Sequence, residues 1–283
     1  MPELPEVETT RRGLVTALLG RRLARVEVRE RRLRFPVPIG FVQHLTGRRV
    51  EAIDRRAKYM LFRLDNGETM ILHLGMSGRM RVYAPGATPP PPERHDHLVF
   101  ATDDGAEIRF NDARRFGFVD LVAAADLAGH RMLVSLGPEP LDAAFTPAVL
   151  SAALAGKRTP VKAALLDQKT VAGLGNIYVS EALFRAGISP RRSAHTVAGV
   201  RAERLVPAIR RVLEDAIEAG GSSLRDFRHA DGELGYFQTR FAVYDRAGGR
   251  CGDPLSDCDG TTCSVRRLVQ AGRSTFYCPR RQR

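Results

Sequence analysis

Residues 59–74 read Tyr-Met-Leu-Phe-Arg-Leu-Asp-Asn-Gly-Glu-Thr-Met-Ile-Leu-His-Leu. A run rich in strand formers meets Asp65-Asn66-Gly67, three residues suited to a reversal, and returns through Met70–Leu74, which predicts a β-hairpin. A second pair lies C-terminal to it, with His97–Ala101 and Glu107–Phe110 bracketing Asp103-Asp104-Gly105. On the N-terminal side Arg25-Val26-Glu27-Val28 alternates polar and apolar residues. Between the two hairpins the stretch from Pro85 to Pro92, with four consecutive prolines at its end, reads as a stiff exposed loop. Short antiparallel strands joined by tight turns predict a sandwich of two sheets.

The periodicity changes on either side of this region. Residues 4–20 predict a helix, with Pro5 in the first turn, Glu6 and Glu8 at the positive end and Gly20 as its stop. Val7, Leu14, Val15, Leu18 and Leu19 form its apolar stripe. Beyond Gly137-Pro138-Glu139-Pro140 the pattern is helical near 146–156, 160–168, 176–186 and 199–219. The last carries Leu205, Val206, Ile209, Val212, Leu213 and Ile217 on one face. Gly220-Gly221 ends it, and a cysteine-bearing β tail begins near 240. The fold class is therefore α+β, without internal repeats. It comprises an N-terminal antiparallel β-sandwich domain with a leading helix (1–135), a helical domain (136–238) and a C-terminal β-hairpin (239–283).

Charge narrows the function. Forty-four basic residues against thirty-two acidic ones give a net charge of +12 and a pI near 10.3, a balance suited to a polyanion, nucleic acid first. Four of the cations are lysines (Lys58, Lys157, Lys162 and Lys169) and forty are arginines. Where arginine is the default cation, each lysine is a candidate for work that needs a group able to release its proton. No 18-residue apolar run is present, so no membrane span is predicted. The N-terminus lacks an apolar signal region, which predicts a cytoplasmic location. Walker and Rossmann patterns are absent, and no nucleotide or redox cofactor is called for.

Pro2 follows the initiator methionine. Removal of Met1 would expose a secondary amine with a pKa near ~8, well below the ~10.4 of lysine, and its neutral form can attack a sugar carbon to give a Schiff base. Glu3 stands beside it as a proton shuttle. Taken alone, the plainer reading, a lead-in to a helix, is the stronger one.

The longer pattern changes that balance. Met1-Pro2-Glu3-Leu4-Pro5-Glu6-Val7-Glu8-Thr9 is followed in order by Arg56-Ala57-Lys58-Tyr59, His73-Leu74-Gly75-Met76-Ser77-Gly78, His95-Asp96-His97 and Asp112-Ala113-Arg114-Arg115-Phe116-Gly117. Leu136–Pro140, Gly173-Leu174-Gly175-Asn176-Ile177-Tyr178, Gly235-Tyr236-Phe237 and Thr275-Phe276-Tyr277-Cys278-Pro279 complete the series. Together these landmarks resemble the bacterial formamidopyrimidine-DNA glycosylases, base-excision enzymes that remove oxidised purines.

The resemblance implies a bifunctional DNA glycosylase and abasic-site lyase acting as a monomer on damaged double-stranded DNA. Pro2 is then the nucleophile, and Glu3 helps open or protonate the sugar. Lys58 and Arg273 assist the eliminations. Met76, Arg114 and Phe116 fill the void left by the extruded nucleotide, as an apolar wedge, a guanidinium and a flat ring can. His95, Arg114, Lys157 and Asn176 hold phosphates, Lys157 and Asn176 within a helix–two-turns–helix element. Glu181 matches a family acid whose role is left open.

Two other readings remain: an endonuclease VIII-like enzyme for oxidised pyrimidines, against which the continuation after Glu3 argues, and a non-catalytic lesion-binding protein, against which Pro2, Glu3 and Lys58 argue. The loop around 221–237, expected to cover the base, has no readable code for the lesion.

The tail departs from the family pattern of two Cys-x2-Cys pairs. Cys258 and Cys278 fall at the first and third ligand positions, with Thr261 and Arg281 at the second and fourth. Cys251 and Cys263 are present at other spacings. A zincless finger is expected, held by Val265, Leu268, Val269 and Phe276, with Arg281 placing a positive charge where the metal would sit. A rearranged four-cysteine site is the alternative.

Overall fold

The computed structural model describes residues 2–222, 235–252 and 263–283. Cys258, Thr261 and the centre of the loop around 221–237 lie outside these residues. Helix α1 (Leu4–Leu18) begins where the sequence placed it. The Glu6 carboxylate reaches back to accept the Glu3 N–H at 2.8 Å and satisfies a donor that the helix itself cannot. Leu4, Val7, Leu14 and Leu18 are buried. Leu19, expected on the same stripe, is exposed because the chain has already turned to an extended conformation there.

Eight strands and a short helix follow: β1 (Leu23–Val28), α2 (Phe41–Leu45), β2 (Val50–Arg56), β3 (Tyr59–Leu64), β4 (Glu68–His73), β5 (Arg79–Tyr83), β6 (Asp96–Thr102), β7 (Glu107–Asn111) and β8 (Phe118–Ala123). They form two four-stranded antiparallel sheets, ordered β1-β6-β7-β5 and β2-β3-β4-β8. The hairpin read from residues 59–74 is β3–β4, with Tyr59 opposite His73 and Leu61 opposite Ile71. Phe62, Met70 and Leu72 of one sheet and Met80, Phe100 and Ile108 of the other share a core with Leu14 and Leu18 of α1. Strands β2, β5 and β8, which the sequence reading passed over, are edge strands. β2 and β5 interleave apolar with charged residues, which weakens their signal, and β8 is largely apolar but pairs with β4, distant in sequence, so no tight turn marks it.

The chain divides into two compact units, one of Met1–Val134 with Ala219–Tyr236, the other of Ser135–Glu218 with Phe237–Arg283. The second unit contains α3 (Pro147–Leu154), α4 (Val161–Leu166), α5 (Asn176–Arg185), α6 (Val200–Glu218) and the hairpin β9 (Arg266–Gln270)–β10 (Arg273–Tyr277). Thr146 caps α3 by accepting the Val149 N–H. Leu205, Val206, Ile209, Val212 and Leu213 of α6 are buried, as their spacing predicts. A smaller core gathers Phe184, Val243, Val265 and Phe276 with Cys251, Cys263 and Cys278. Val269, expected to help hold the hairpin, is instead 66% exposed. Successive strand residues face opposite ways, and Val269 lies on the face turned away from this core.

Candidate active site

The first unit holds the N-terminal candidates. Pro2 is buried ahead of α1, and Glu3 is buried at its N-cap. Lys58 is also buried, in the Ala57-Lys58 turn between β2 and β3, where Ala57 takes a left-handed φ of 54°. Glu6, which the sequence reading used only as a helix-start signal, does more. One carboxylate oxygen accepts the Glu3 N–H, and the other accepts the Ser222 N–H at 2.8 Å. The same side chain thus fixes the backbone at Glu3 and the backbone at the root of the 223–234 segment.

Within reach of the Lys58 charge is His73, which the sequence places in a landmark stretch without a role of its own. Its ring lies 4.9 Å from that of Tyr59 and stacks on Phe118 at 5.6 Å. Burial first, then the Lys58 and Arg34 charges, lower its pKa to about 4. The imidazole is therefore neutral at physiological pH, and its Nδ1 accepts the Gly75 N–H at 2.9 Å.

Met76 and Phe116 stand on two loops, 74–78 after β4 and 112–117 after β7. A core role would bury them; they are 40% and 42% exposed. The Arg114 guanidinium lies 4.7 Å over the Phe116 ring. His95 is half-buried, and its carbonyl accepts the Asp112 N–H at 3.0 Å.

In the second unit Lys157 donates to Thr170 Oγ1 at 2.5 Å. Asn176 opens α5 behind Gly175, which offers no side-chain cap. Its amide points inward, donating to the Ser274 carbonyl at 3.0 Å and lying 3.4 Å from the Tyr244 hydroxyl. Lys162, fully buried, donates to that same Ser274 carbonyl and to Thr275 Oγ1, both at 2.7 Å. Two donors therefore fix the residue that follows Arg273, which is exposed at the first position of β10. Glu181 is buried on α5, and its carboxylate accepts the N–H groups of Ala242, Val243 and Tyr244 at 2.8–3.0 Å. Burial raises its pKa in spite of those bonds, and its evident work is to anchor the chain that leads into the cysteine region.

Cys251, Cys263 and Cys278 converge. Their buried sulfurs all lie within 4.8 Å of one another, and those of Cys251 and Cys263 are 3.1 Å apart. This corrects the expected geometry at two points. Cys251 and Cys263 join Cys278 despite their unusual spacing, and Arg281 does not enter the cluster. Its Nε donates to the Phe184 carbonyl at 3.0 Å, its Nη2 donates to the Arg185 carbonyl, and its guanidinium stacks on Phe184. The last carbonyls of a helix lack intrahelical partners and carry negative partial charge, so they draw the cation away.

Comparison with known proteins gives a consistent picture. The family signature "Formamidopyrimidine-DNA glycosylase N-terminal domain" matches residues 1–119, and "Formamidopyrimidine-DNA glycosylase H2TH domain" matches residues 136–228. The formamidopyrimidine-DNA glycosylase of Acidiphilium cryptum is 58% identical over 285 residues, and that of Rhodospirillum rubrum 58% over 284, each pair covering both chains completely. Among solved structures, the MutM (Fpg) protein of Thermus thermophilus is 41% identical with a TM-score of 0.84, over 99% of this chain and 98% of that one. A Lactococcus lactis Fpg mutant in complex with a Fapy-dG containing DNA is 34% identical with a TM-score of 0.87, over the whole of both chains.

Proposed function

The chain belongs to the formamidopyrimidine-DNA glycosylase family, and from that membership we propose that it excises oxidised purines from duplex DNA and then cleaves the abasic site. The observation that carries this reading is the full-length 58% identity to glycosylases of that name. The retained Pro2-Glu3 start supports it. Likeness to the oxidised-purine enzymes over the whole chain counts against the oxidised-pyrimidine alternative.

The chemistry begins with removal of Met1. The Pro2 nitrogen, neutral in a useful fraction at a pKa near ~8, attacks the anomeric carbon of the extruded nucleotide. The C–N bond to the base breaks, and the base departs with a proton that Glu3 helps to deliver. Proton transfer to the ring oxygen, in which Glu3 takes part, then breaks the C1′–O4′ bond, and the Pro2 nitrogen, having shed its own proton, is left as an iminium that makes the C2′ proton acidic. Its loss expels the 3′ phosphate, and a second elimination expels the 5′ phosphate. Lys58 and Arg273 attend the phosphates as these bonds break. Met76, Arg114 and Phe116 occupy the emptied stack, while His95, Lys157 and Asn176 steady the backbone. None of these steps calls for a nucleotide or redox cofactor. The enzyme works as a single chain in the cytoplasm, on nucleoid DNA.

The three converging thiols favour a rearranged cysteine site over a metal-free hairpin. A tetrahedral zinc with Zn–S bonds of ~2.3 Å needs sulfurs about 3.8 Å apart; the trio, within 4.8 Å, is gathered on that scale, and the Cys251–Cys263 pair at 3.1 Å would have to open to admit the ion. Bound there, zinc would supply structure, cross-linking the chain at 251 and 263 to the end of β10, and the covalent chemistry would remain with Pro2.

Borohydride trapping tests the assignment. With 8-oxoguanine duplexes, reduction should fix DNA onto the N-terminal peptide of a protein that lacks Met1. An adduct mapped to Lys58, or trapping only on oxidised pyrimidines, would overturn it.

A further inference from the structure

Asp112 has no part in the chemistry above, yet it is fully buried at the start of the loop that carries Arg114 and Phe116. One carboxylate oxygen accepts the Ser77 hydroxyl at 2.5 Å and the Arg114 N–H at 3.3 Å. The other accepts the Gly117 N–H at 2.8 Å. Ser77 closes the triangle, since its Oγ also accepts the Arg114 N–H at 3.2 Å. Behind them His97 Nε2 bonds the Asp112 carbonyl at 2.7 Å. Loop 74–78 and loop 112–117 are therefore joined through one carboxylate, which takes donors from both.

The backbone agrees with this. Gly75 adopts φ +67°, and a Cβ there would collide with the backbone of Phe116 and Gly117. A Cβ on Gly117 would strike the Phe110 ring and the His73 carbonyl. The loops touch backbone to backbone, so neither can shift without the other. A buried carboxylate that accepts three hydrogen bonds is also costly to leave part-satisfied, which makes the joint stiff.

We propose that Asp112 is a positioning residue that yokes the two loops, so that Met76, Arg114 and Phe116 enter the DNA stack as one rigid wedge. The proposal rests on the void-filling reading of those three side chains. Joining them matters because a base stack must be parted and refilled in one event, and three independently mobile side chains would each lose conformational freedom on insertion.

Two variants test it, Asp112→Asn and Ser77→Ala, together with their double. Asparagine presents a donor where the carboxylate has only acceptors, and alanine removes the strut from the opposite loop. Three readouts are compared. They are single-turnover base release from an 8-oxoguanine duplex, fluorescence of 2-aminopurine placed opposite an abasic-site analogue to report wedge entry, and strand cleavage at a preformed abasic site in single-stranded DNA. A single strand has no partner stack to fill. We expect base release and the 2-aminopurine signal to slow about tenfold in each single variant, the scale of one charge-assisted hydrogen bond. Single-strand cleavage should be unchanged, and the double variant should be no slower than Asp112→Asn alone.

Equal loss on duplex and single strand would show a merely structural role, and additive losses would show that Ser77 and Asp112 act separately; either overturns the yoke. If Asp112→Asn does not fold, Ser77→Ala carries the test. A Met76→Ala, Arg114→Ala, Phe116→Ala triple variant that releases base from duplexes at the unaltered rate would refute the void-filling reading itself, and so distinguishes the two failures.

Discussion

At His73 one proton decides whether the ring can hold the loop that follows it. The Nδ1 lone pair is committed to the Gly75 N–H, which requires a neutral imidazole, and burial with Lys58 and Arg34 nearby sets its pKa at about 4. In the unfolded chain the same ring would titrate near ~6.5. Between these values the unfolded state binds the extra proton, so the stability that His73 contributes is complete above about pH 6.5 and is lost as pH falls towards 4. An NMR titration of the histidine side chains should find this imidazole neutral down to about pH 4; a midpoint at the ordinary value would contradict the buried, hydrogen-bonded geometry. Single residues were legible where their type already limits their use, as with a proline after Met1 or a lysine in an arginine-rich chain. The roles of His73, Asp112 and Glu6 were not, because beside its local bonds each also acts through a partner distant in sequence, Lys58 for His73, Ser77 for Asp112 and Ser222 for Glu6. Lys162 lies between these cases. The scarcity of lysine marked it for special work, and only the fold shows that the work is holding Ser274 and Thr275 beside Arg273.

Elements were more legible than residues, because periodicity is local. The four helices of the second unit and the central hairpin follow from spacing and turn chemistry, whereas β2 and β5 mix their apolar residues with charged ones and β8, though largely apolar, pairs with a strand distant in sequence, β4, with no tight turn to mark the pair. What ties one element to another is again non-local. Glu8 of α1 bonds Arg11 and Arg12 on its own helix and Arg55 of β2 at 3.1 Å. Burial opposes its charge, but the hydrogen bonds from Arg11 and Arg12 and the charge of Arg55 hold its pKa at about 2. Its contribution is present above the ordinary pKa of ~4.3 and disappears as pH falls through about 2. Glu8→Gln should therefore lower stability at pH 7 by roughly 1–2 kcal/mol after solvent screening, and flatten the acid limb of a pH–stability curve. An unchanged acid limb would mean that α1 is not held to β2 by this cluster. The cysteine trio links elements in the same way. Native mass spectrometry should find one zinc per chain, lost in Cys278→Ser, and chelation should loosen the β9–β10 hairpin while leaving the melting of the β-sandwich in place. A metal-free chain with an intact hairpin would restore the packing-only reading.

For the molecule as a whole, charge was the most readable property and the least specific. Forty arginines and four lysines against thirty-two acids point to a polyanionic partner, but many are spent internally, as Arg55 is on Glu8, Arg109 on Asp96 and Arg281 on helix carbonyls. The number that meets DNA is therefore smaller than composition suggests. Salt dependence counts it directly, because each phosphate neutralised by a cation releases counterions and adds about 0.9 to the slope of log affinity against log salt. Binding should weaken steeply with salt and depend little on the sequence flanking the lesion. Lys157 offers the cleanest single count. Among the described residues its ammonium makes one neutral contact, to Thr170 Oγ1, which leaves its charge for a phosphate. Lys157→Ala should lower the slope by about one and weaken damaged and undamaged duplexes by the same factor, since a phosphate contact carries no information about the base. A loss confined to damaged duplexes would instead place Lys157 in lesion recognition, and an unchanged slope would remove it from the DNA interface.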